Sequence, residues 1–298
     1  MPEPLGADGP VAIGGVGGSG TRVIAAMVSS LGFQAGTDLN RPEDDLTFSI
    51  LFKRPRLYRD VRGLVPADHP AAVAASRAFV ALRSGAARVS PAMWPLVSAC
   101  AAFPFNGPYP MPPKPTEWAA KRFRAALRHT KPSQPDLWMW KEPNTLLFLP
   151  TLYREIPRLR YIHMVRNGLS MAKSRNNFQL TNWGYLFGVA VPPGDQELQK
   201  LIYWARINLA VSDFLADQPR SLVVTHERTV ADPEGVLDDI ATFLGRTVTD
   251  GAREVASLVR RPDDFDRSYP FEDDATDSVG SADIRRALER FGYRGTSG

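Results

Sequence analysis

A glycine-rich turn near the N-terminus carries the residue types that bind an oxyanion. Residues 11–13, Val-Ala-Ile, form an apolar run typical of a short buried strand, and residues 21–31 have apolar side chains at helical spacing. The glycines between them let the backbone approach an anion closely, and the unpaired N–H groups and dipole of the following helix favour negative charge. The candidate binding residues are Gly17, Gly18, Ser19, Gly20, Thr21 and Arg22.

Four interpretations of this turn are open. Gly15-x-Gly17-x-x-Gly20 fits the dinucleotide-binding pattern, and Gly15-x-x-x-x-Gly20 fits the first half of a nucleoside-triphosphate loop. In that loop a Lys-Ser/Thr pair follows, whereas this chain has Thr21-Arg22, so the lysine and the magnesium-binding hydroxyl are both out of place. A sulfonate-donor loop of the form strand-x-Ser-Gly-Thr-helix needs no metal. A purely structural glycine turn is the fourth interpretation.

Two later strand ends offer further charged side chains. We predict strands over residues 137–140 and 159–165, which are followed by Lys141-Glu142-Pro143 and by Arg166. Because a parallel α/β sheet binds ligands beyond the carboxyl ends of its strands, these side chains should converge with the glycine turn. Arg166 and Ser174, the latter on a predicted helix, offer a planar fork and a hydroxyl that suit a phosphate monoester.

The elements that position these groups alternate between strand and helix, which predicts parallel pairing by right-handed crossovers. We therefore expect an α/β fold with a central parallel sheet, as a single domain over residues 1–298 with a helical insertion at about 43–130. Pro42 is expected to begin a helix, and the proline-rich stretch 104–115 to be a loop. Helices are predicted at about 46–52, 69–88, 91–102, 116–129, 144–156, 169–176, 197–216, 233–244 and 282–291, a strand at 221–226, and a short strand or turn at 33–36.

Composition limits the function classes. The 298 residues are 44% hydrophobic and 23% charged with a net charge of +4, which is typical of a globular protein. Cys100 is the only cysteine, which excludes an internal disulfide framework and favours a reducing compartment. The sequence shows neither a signal-peptide pattern nor an apolar run of about 18 residues, so we expect a cytoplasmic chain without a membrane span. No nucleic-acid motif accompanies the basic clusters, and no His/Cys cluster has metal-ligand spacing.

Three segments resemble the sulfotransferase superfamily that uses 3′-phosphoadenosine 5′-phosphosulfate (PAPS). They are residues 14–32, GGVGGSGTRVIAAMVSSLG; residues 138–174, WMWKEPNTLLFLPTLYREIPRLRYIHMVRNGLSMAKS; and residues 221–245, SLVVTHERTVADPEGVLDDIATFLG. The second is the most specific, because it resembles the Lys-acid-Pro strand end and the Arg…Ser strand and helix of tyrosylprotein and carbohydrate sulfotransferases. The resemblance implies a three-layer α/β/α fold with a central parallel sheet, similar to that of P-loop NTPases.

The resemblance also implies roles for individual residues. Residues 19–22 would hold the 5′-phosphosulfate of the donor. Arg166 and Ser174 would hold its 3′-phosphate. Lys141 would lie near the bridging oxygen and the sulfonate group.

The chain departs from the family pattern at one position. Lys or Arg usually precedes Ser-Gly-Thr, and here that place is Gly18. Arg22 and Lys141 are the candidate sources of the missing positive charge. The implied donor is PAPS and the implied product is adenosine 3′,5′-bisphosphate (PAP), with no metal expected.

The implied reaction is in-line transfer of a sulfonate group to a hydroxyl or amine of a small-molecule or glycan acceptor. Cationic and N–H donors would stabilise the developing charge, and a general base must reach the acceptor. The candidate bases are Asp38, Asp45 and Glu142, and His226 is a candidate contact of donor or acceptor. A nucleotide-dependent kinase or other phosphotransferase, and a non-catalytic nucleotide-binding protein on the same fold, are the alternative functions.

Overall fold

The computed structural model describes residues 9–83, 137–194, 196–260 and 280–293, together with the isolated positions 117 and 121. Several predicted features lie outside the described residues. They are Cys100, the helix at 91–102, the proline-rich loop at 104–115, most of the helix at 116–129 and thus much of the predicted insertion. No helix in the described ranges combines the length and apolar character that a membrane crossing requires.

Within the described ranges, four parallel strands form the centre of the fold. They are β1 (Val11–Gly15), β2 (Met139–Lys141), β3 (Arg160–Val165) and β4 (Ser221–Thr225). Their order is β2-β1-β3-β4, and Val11 of β1 lies opposite Met139 on one side and Arg160 on the other. Because the chain proceeds outward in opposite directions from β1 and β3, the carboxyl ends of these two strands flank the crevice where such sheets bind ligands.

Eleven helices surround the sheet in the described part of the chain, together with three short 3₁₀ helices. The 3₁₀ helices span Pro55–Tyr58, Pro143–Phe148 and Gly184–Phe187. The α-helices are α1 (Thr21–Ser30), α2 (Leu46–Phe52), α3 (Pro70–Arg83), α4 (Leu149–Glu155), α5 (Gly168–Ala172), α6 (Phe178–Trp183), α7 (Glu197–Leu215), α8 (His226–Ala231), α9 (Pro233–Leu244), α10 (Asp250–Ser257) and α11 (Ser281–Arg290).

The side chains of β1 alternate between two hydrophobic cores, as the two-residue period of a strand requires. Val11 and Ile13 belong to a core formed with α1, α9 and α10. Ala12 belongs to a larger core on the opposite face, formed with α2, α3, α4, α7 and α11. The sheet therefore lies between two helical layers, and the predicted α/β fold with a central parallel sheet is confirmed.

The elements with clear end signals form as predicted, and α9 shows why. Pro233 occupies the first turn of α9, and the Asp232 carboxylate accepts a hydrogen bond from the Gly235 N–H at 3.0 Å. Gly245 ends the helix with φ of +65°, a conformation that glycine adopts without strain. The predicted helices at 46–52 and 197–216 and the strand at 221–226 also form, within one residue of their predicted ends.

Two predictions for the segment between α1 and α2 are wrong in detail. Residues 33–36 contribute only an isolated bridge between Gln34 and Trp138. Pro42 does not begin a helix. Instead α2 begins at Leu46, where the Asp45 carboxylate accepts a hydrogen bond from the Phe48 N–H.

Two helices near the predicted site also differ from expectation. The predicted helix at 144–156 is a 3₁₀ helix up to Phe148 and becomes α-helical only from Leu149, where Pro150 occupies the first turn of α4. The predicted helix at 169–176 ends at Ala172, so Ser174 lies in a bend rather than on a helix. The Ser174 hydroxyl accepts a hydrogen bond from the Asn176 N–H at 3.1 Å, a local contact that competes with helix formation.

Candidate functional site

The glycine turn leads from the carboxyl end of β1 directly into the N-terminus of α1. Gly18 and Gly20 have φ of +101° and +99°, which other residues adopt only with strain. Gly20 is the N-cap residue of α1, and no side chain among the described residues caps the helix there. The first N–H groups of a helix have no partner within it, so this end of α1 can bind an anion.

The Ser19 hydroxyl is a buried polar group that lacks a hydrogen-bond partner in the described part of the chain. The residue is 1% exposed, and its N–H donates to the Val16 carbonyl at 3.0 Å, which closes the turn. An unsatisfied buried hydroxyl costs free energy unless a ligand supplies its partner. The Ser19 hydroxyl therefore fits the oxyanion predicted from the sequence. Of the two other predicted side-chain donors, Thr21 is buried at the start of α1 and Arg22 is exposed.

His226 lies against the glycine turn from the end of β4, the strand beyond β3. A methyl group on Gly20 would lie 2.8 Å from the His226 Nδ1, so only glycine allows this approach. His226 is buried and begins α8 directly after β4. The structure thus brings together two residues that the sequence singled out separately.

Arg166 follows the carboxyl end of β3, as predicted. Its carbonyl accepts a hydrogen bond from the Trp204 Nε1 at 3.0 Å, and the residue is half-buried with no ion pair among the described residues. Tyr293 donates to the Glu227 carboxylate at 2.5 Å, and Glu227 also accepts from the Asn167 N–H at 3.0 Å. Burial and the Glu227 charge raise the pKa of Tyr293, and the nearby Arg166 guanidinium opposes this rise.

Ser174 is exposed on the bend beyond α5, next to a cation that sequence reasoning missed. The Lys200 ammonium donates to the Ser174 carbonyl at 2.7 Å. Lys200 also lines a cavity beside the glycine turn, together with Gly17, Asn176 and Tyr203. Burial raises the pKa of Tyr203, whose hydroxyl lacks a hydrogen-bond partner in the described ranges.

The Lys141 side chain binds the turn that precedes α2. Its ammonium lies 2.6 Å from the Asp44 carboxylate and 2.5 Å from the Pro42 carbonyl, and the residue is 4% exposed. The Asp45 N–H donates to the Lys141 carbonyl at 2.8 Å. The structure therefore brings the 42–45 turn to the end of β2.

Glu142 is fully buried and already has several partners. Its carboxylate lies 2.6 Å from the Lys53 ammonium and accepts hydrogen bonds from the backbone and side chain of Asn144 at 2.6 and 2.9 Å. The Lys53 ammonium in turn lies 5.7 Å from the centre of the Phe178 ring, close enough for a cation–π contact. These contacts neutralise the Glu142 charge and keep the carboxylate from solvent.

The other two candidate bases differ in accessibility. Asp45 is buried, caps α2 and lies 3.3 Å from the Arg83 guanidinium. Asp38 is half-buried, and its carbonyl accepts a hydrogen bond from the Leu46 N–H. In the described ranges, no group of three or more His, Cys, Asp or Glu side chains could hold a metal ion.

The sequence model of the sulfotransferase family matches residues 10–250, which include the glycine turn, Lys141, Glu142, Arg166 and Ser174. This chain belongs to the sulfotransferase family. A search of curated proteins finds no match to the sequence of this chain.

Several solved structures resemble this chain over nearly its whole length. The sulfotransferase domain from the curacin biosynthetic pathway is 13% identical with a TM-score of 0.47, and the match covers 96% of this chain and 98% of that one. The sulfotransferase domain from the Synechococcus PCC 7002 olefin synthase is 15% identical with a TM-score of 0.45, and covers 96% and 95%. Sulfotransferase STF9 from Mycobacterium avium is 12% identical with a TM-score of 0.47, and covers 95% and 76%.

Proposed function

We propose that this sulfotransferase moves a sulfonate group from PAPS to a hydroxyl or amine of a small-molecule or glycan acceptor. The observation that carries the proposal is the buried Ser19 hydroxyl, which has no partner in the described part of the chain and lies in a glycine turn at the uncapped end of α1. A polyanionic donor would supply that partner and occupy the N–H groups of the helix.

Arg166 offers a second anion site at the carboxyl end of β3. Arg166 lies beyond β3, the strand next to β1, so its guanidinium can bind the 3′-phosphate while residues 19–22 bind the 5′-phosphosulfate. Ser174 lies on the exposed bend that the Lys200 ammonium contacts, and Lys200 adds positive charge there. PAPS, when bound, supplies an activated sulfonate whose leaving group is a phosphate.

For the general base we propose Asp38. Glu142 and Asp45 are buried at 0% and 1% exposure, whereas Asp38 is half-buried, so its side chain is more accessible to an acceptor. Replacement of Asp38 by Asn should lower kcat strongly and leave PAP affinity unchanged. Full activity of Asp38→Asn would assign the base to another residue.

Calorimetric titration tests the donor. The purified protein is titrated with PAP in the absence of magnesium, and with ATP and NAD as comparators. Binding of PAP alone supports the proposal, while a preference for ATP with magnesium favours a phosphotransferase and a preference for NAD favours a dinucleotide enzyme. Transfer of labelled sulfonate from PAPS to a panel of alcohols, phenols and sugars then separates an enzyme from a binding protein that retains only the fold.

A further inference from the structure

A chain of buried polar side chains begins at the glycine turn. The Gly17 N–H donates to the Gln179 Oε1 at 2.9 Å, and the Gln179 Nε2 lies 3.5 Å from the Gly15 carbonyl. One amide group therefore contacts the backbone on both sides of Val16. Gln179 itself is 6% exposed and belongs to α6.

The chain continues through the 3₁₀ helix that follows β2. The Gln179 Nε2 donates to the Asn144 Oδ1 at 3.1 Å, and the Asn144 Nδ2 donates to the Glu142 Oε1 at 2.9 Å. The last contact of this series joins the Glu142 carboxylate to the Lys53 ammonium, 2.6 Å away and just after α2. Asn144, Glu142 and Lys53 are 2%, 0% and 5% exposed, so water does not compete for these contacts.

The order of these contacts fixes the direction of each amide. Glu142 accepts from the Asn144 Nδ2, which leaves the Asn144 Oδ1 to accept from Gln179. The Gln179 Nε2 is then the donor in that contact, so its Oε1 must face the Gly17 N–H. A buried network whose members are paired with one another is rigid, because any rotation leaves polar groups unsatisfied.

The glycine turn needs such support. Glycine has more backbone freedom than any other residue, so a turn rich in it loses much conformational entropy when a ligand orders it. A turn held in its binding conformation before the ligand arrives avoids that cost, and affinity rises accordingly.

We infer that Gln179, oriented by Asn144 and by the Glu142–Lys53 pair, is a positioning residue that holds the glycine turn ready for the anionic donor. The inference rests on the proposed function for the identity of the donor. It gives Glu142 a structural purpose at the strand end that differs from proton transfer.

The test compares Gln179→Met with Gln34→Met. Methionine keeps the length of glutamine and removes the amide. Gln34 is an exposed glutamine that pairs with Trp138 just before β2, at the end of the sheet away from the glycine turn. Hydrogen exchange is measured on the ligand-free proteins, and PAP affinity by calorimetry. In Gln179→Met we expect amides of residues 14–20 to exchange about tenfold faster and PAP to bind about tenfold more weakly, the effect of one lost hydrogen bond. Exchange in α7 should stay unchanged.

Gln179→Glu provides a conservative variant with a signature of its own. A protonated carboxyl group has one accepting oxygen and one donating hydroxyl, so it can replace both ends of the amide. The ionised form can only accept, and it would face the accepting oxygens of Asn144 and Gly15. Protection of residues 14–20 in Gln179→Glu should therefore match the wild type at acidic pH and fall as the carboxyl ionises.

Wild-type protection and PAP affinity in a folded Gln179→Met variant would overturn the inference. If that variant does not fold, Gln179→Glu decides, and protection independent of carboxyl ionisation counts against the inference. A wild-type protein that does not bind PAP would refute the proposed donor, while the exchange results on ligand-free protein would still test the positioning role by themselves.

Discussion

The ammonium of Lys53 lies 2.6 Å from the carboxylate of Glu142, and both side chains are almost completely buried. The pair joins the segment after α2 to the end of β2, next to the glycine turn. Removal of one partner from such a pair is costly, because it leaves the other charge buried without compensation.

Lys53→Met should lower the free energy of unfolding by about 3–5 kcal/mol. The double variant Lys53→Met/Glu142→Gln should recover most of this loss, because neither charge then remains buried. Urea denaturation of both variants measures the difference. Arg228→Met is the control, since Arg228 forms an ion pair with Asp239 in which both side chains are about half exposed, and its loss should have little effect. A single variant as stable as the control would contradict the prediction.

Ser19→Ala should weaken PAP binding without lowering stability. The Ser19 hydroxyl has no partner in the described residues, so its removal costs the ligand-free protein nothing and relieves an unsatisfied group. The lost contact with an anionic ligand corresponds to about tenfold in affinity. Calorimetry and thermal unfolding give the two quantities.

The matched control for Ser19→Ala is Ser76→Ala. The Ser76 hydroxyl of α3 is also buried without a partner in the described part, but it lies on a helix whose buried apolar residues belong to the larger core. Ser76→Ala should leave PAP affinity unchanged. Equal loss of affinity in both variants would show that Ser19 does not contact the donor.

Arg166→Ala should weaken PAP binding by about tenfold to a hundredfold, which corresponds to about 1.5–3 kcal/mol for hydrogen bonds to a charged group. Arg166→Lys should recover only part of the affinity, because lysine lacks the planar fork. Arg220→Ala is the control at the opposite end of the sheet, before β4. Unchanged affinity in Arg166→Ala would move the second anion site elsewhere.

The stability of the fold should fall in mild acid because of His163. Burial lowers the pKa of His163 to about 4 from its usual 6.5, and the Asn208 hydrogen bond opposes this shift. The Asn208 Oδ1 accepts from the His163 Nε2 at 3.0 Å, which leaves the Nδ1 to accept from the Tyr161 hydroxyl at 3.2 Å. The ring is therefore held neutral.

Between pH 6.5 and about 4 the unfolded chain binds a proton at His163 that the folded chain does not. Protonation at His163 therefore does not reduce the free energy of unfolding above pH 6.5. As the pH falls below 6.5, it lowers the free energy of unfolding progressively, by about 3 kcal/mol for the full shift. Urea denaturation from pH 7.5 to 5 measures the slope. His163→Gln cannot titrate and should reduce that slope, and an identical slope in the variant would assign the effect to other groups.

Local pattern explains which predictions succeed. Neighbouring residues determine the apolar strand before the glycine turn, the Pro233 start and Gly245 end of α9, and the long, largely buried α7, so the sequence reveals them. The 3₁₀ helix at 143–148 and the early end of α5 at Ala172 depend on finer competition between local hydrogen bonds, and there the predicted bounds are wrong.

The sequence by itself determined the α/β class, the glycine turn at the helix N-terminus and the charged residues at the strand ends, because strand alternation and crossover geometry place those ends on one edge of the sheet. Only the tertiary structure decided which charges meet. Lys53 pairs with Glu142, Asp44 takes Lys141, and Gln179 reaches Gly17 across 162 residues of chain. Such contacts depend on how helices pack over the sheet, and no local pattern encodes a hydrogen bond between residues so far apart.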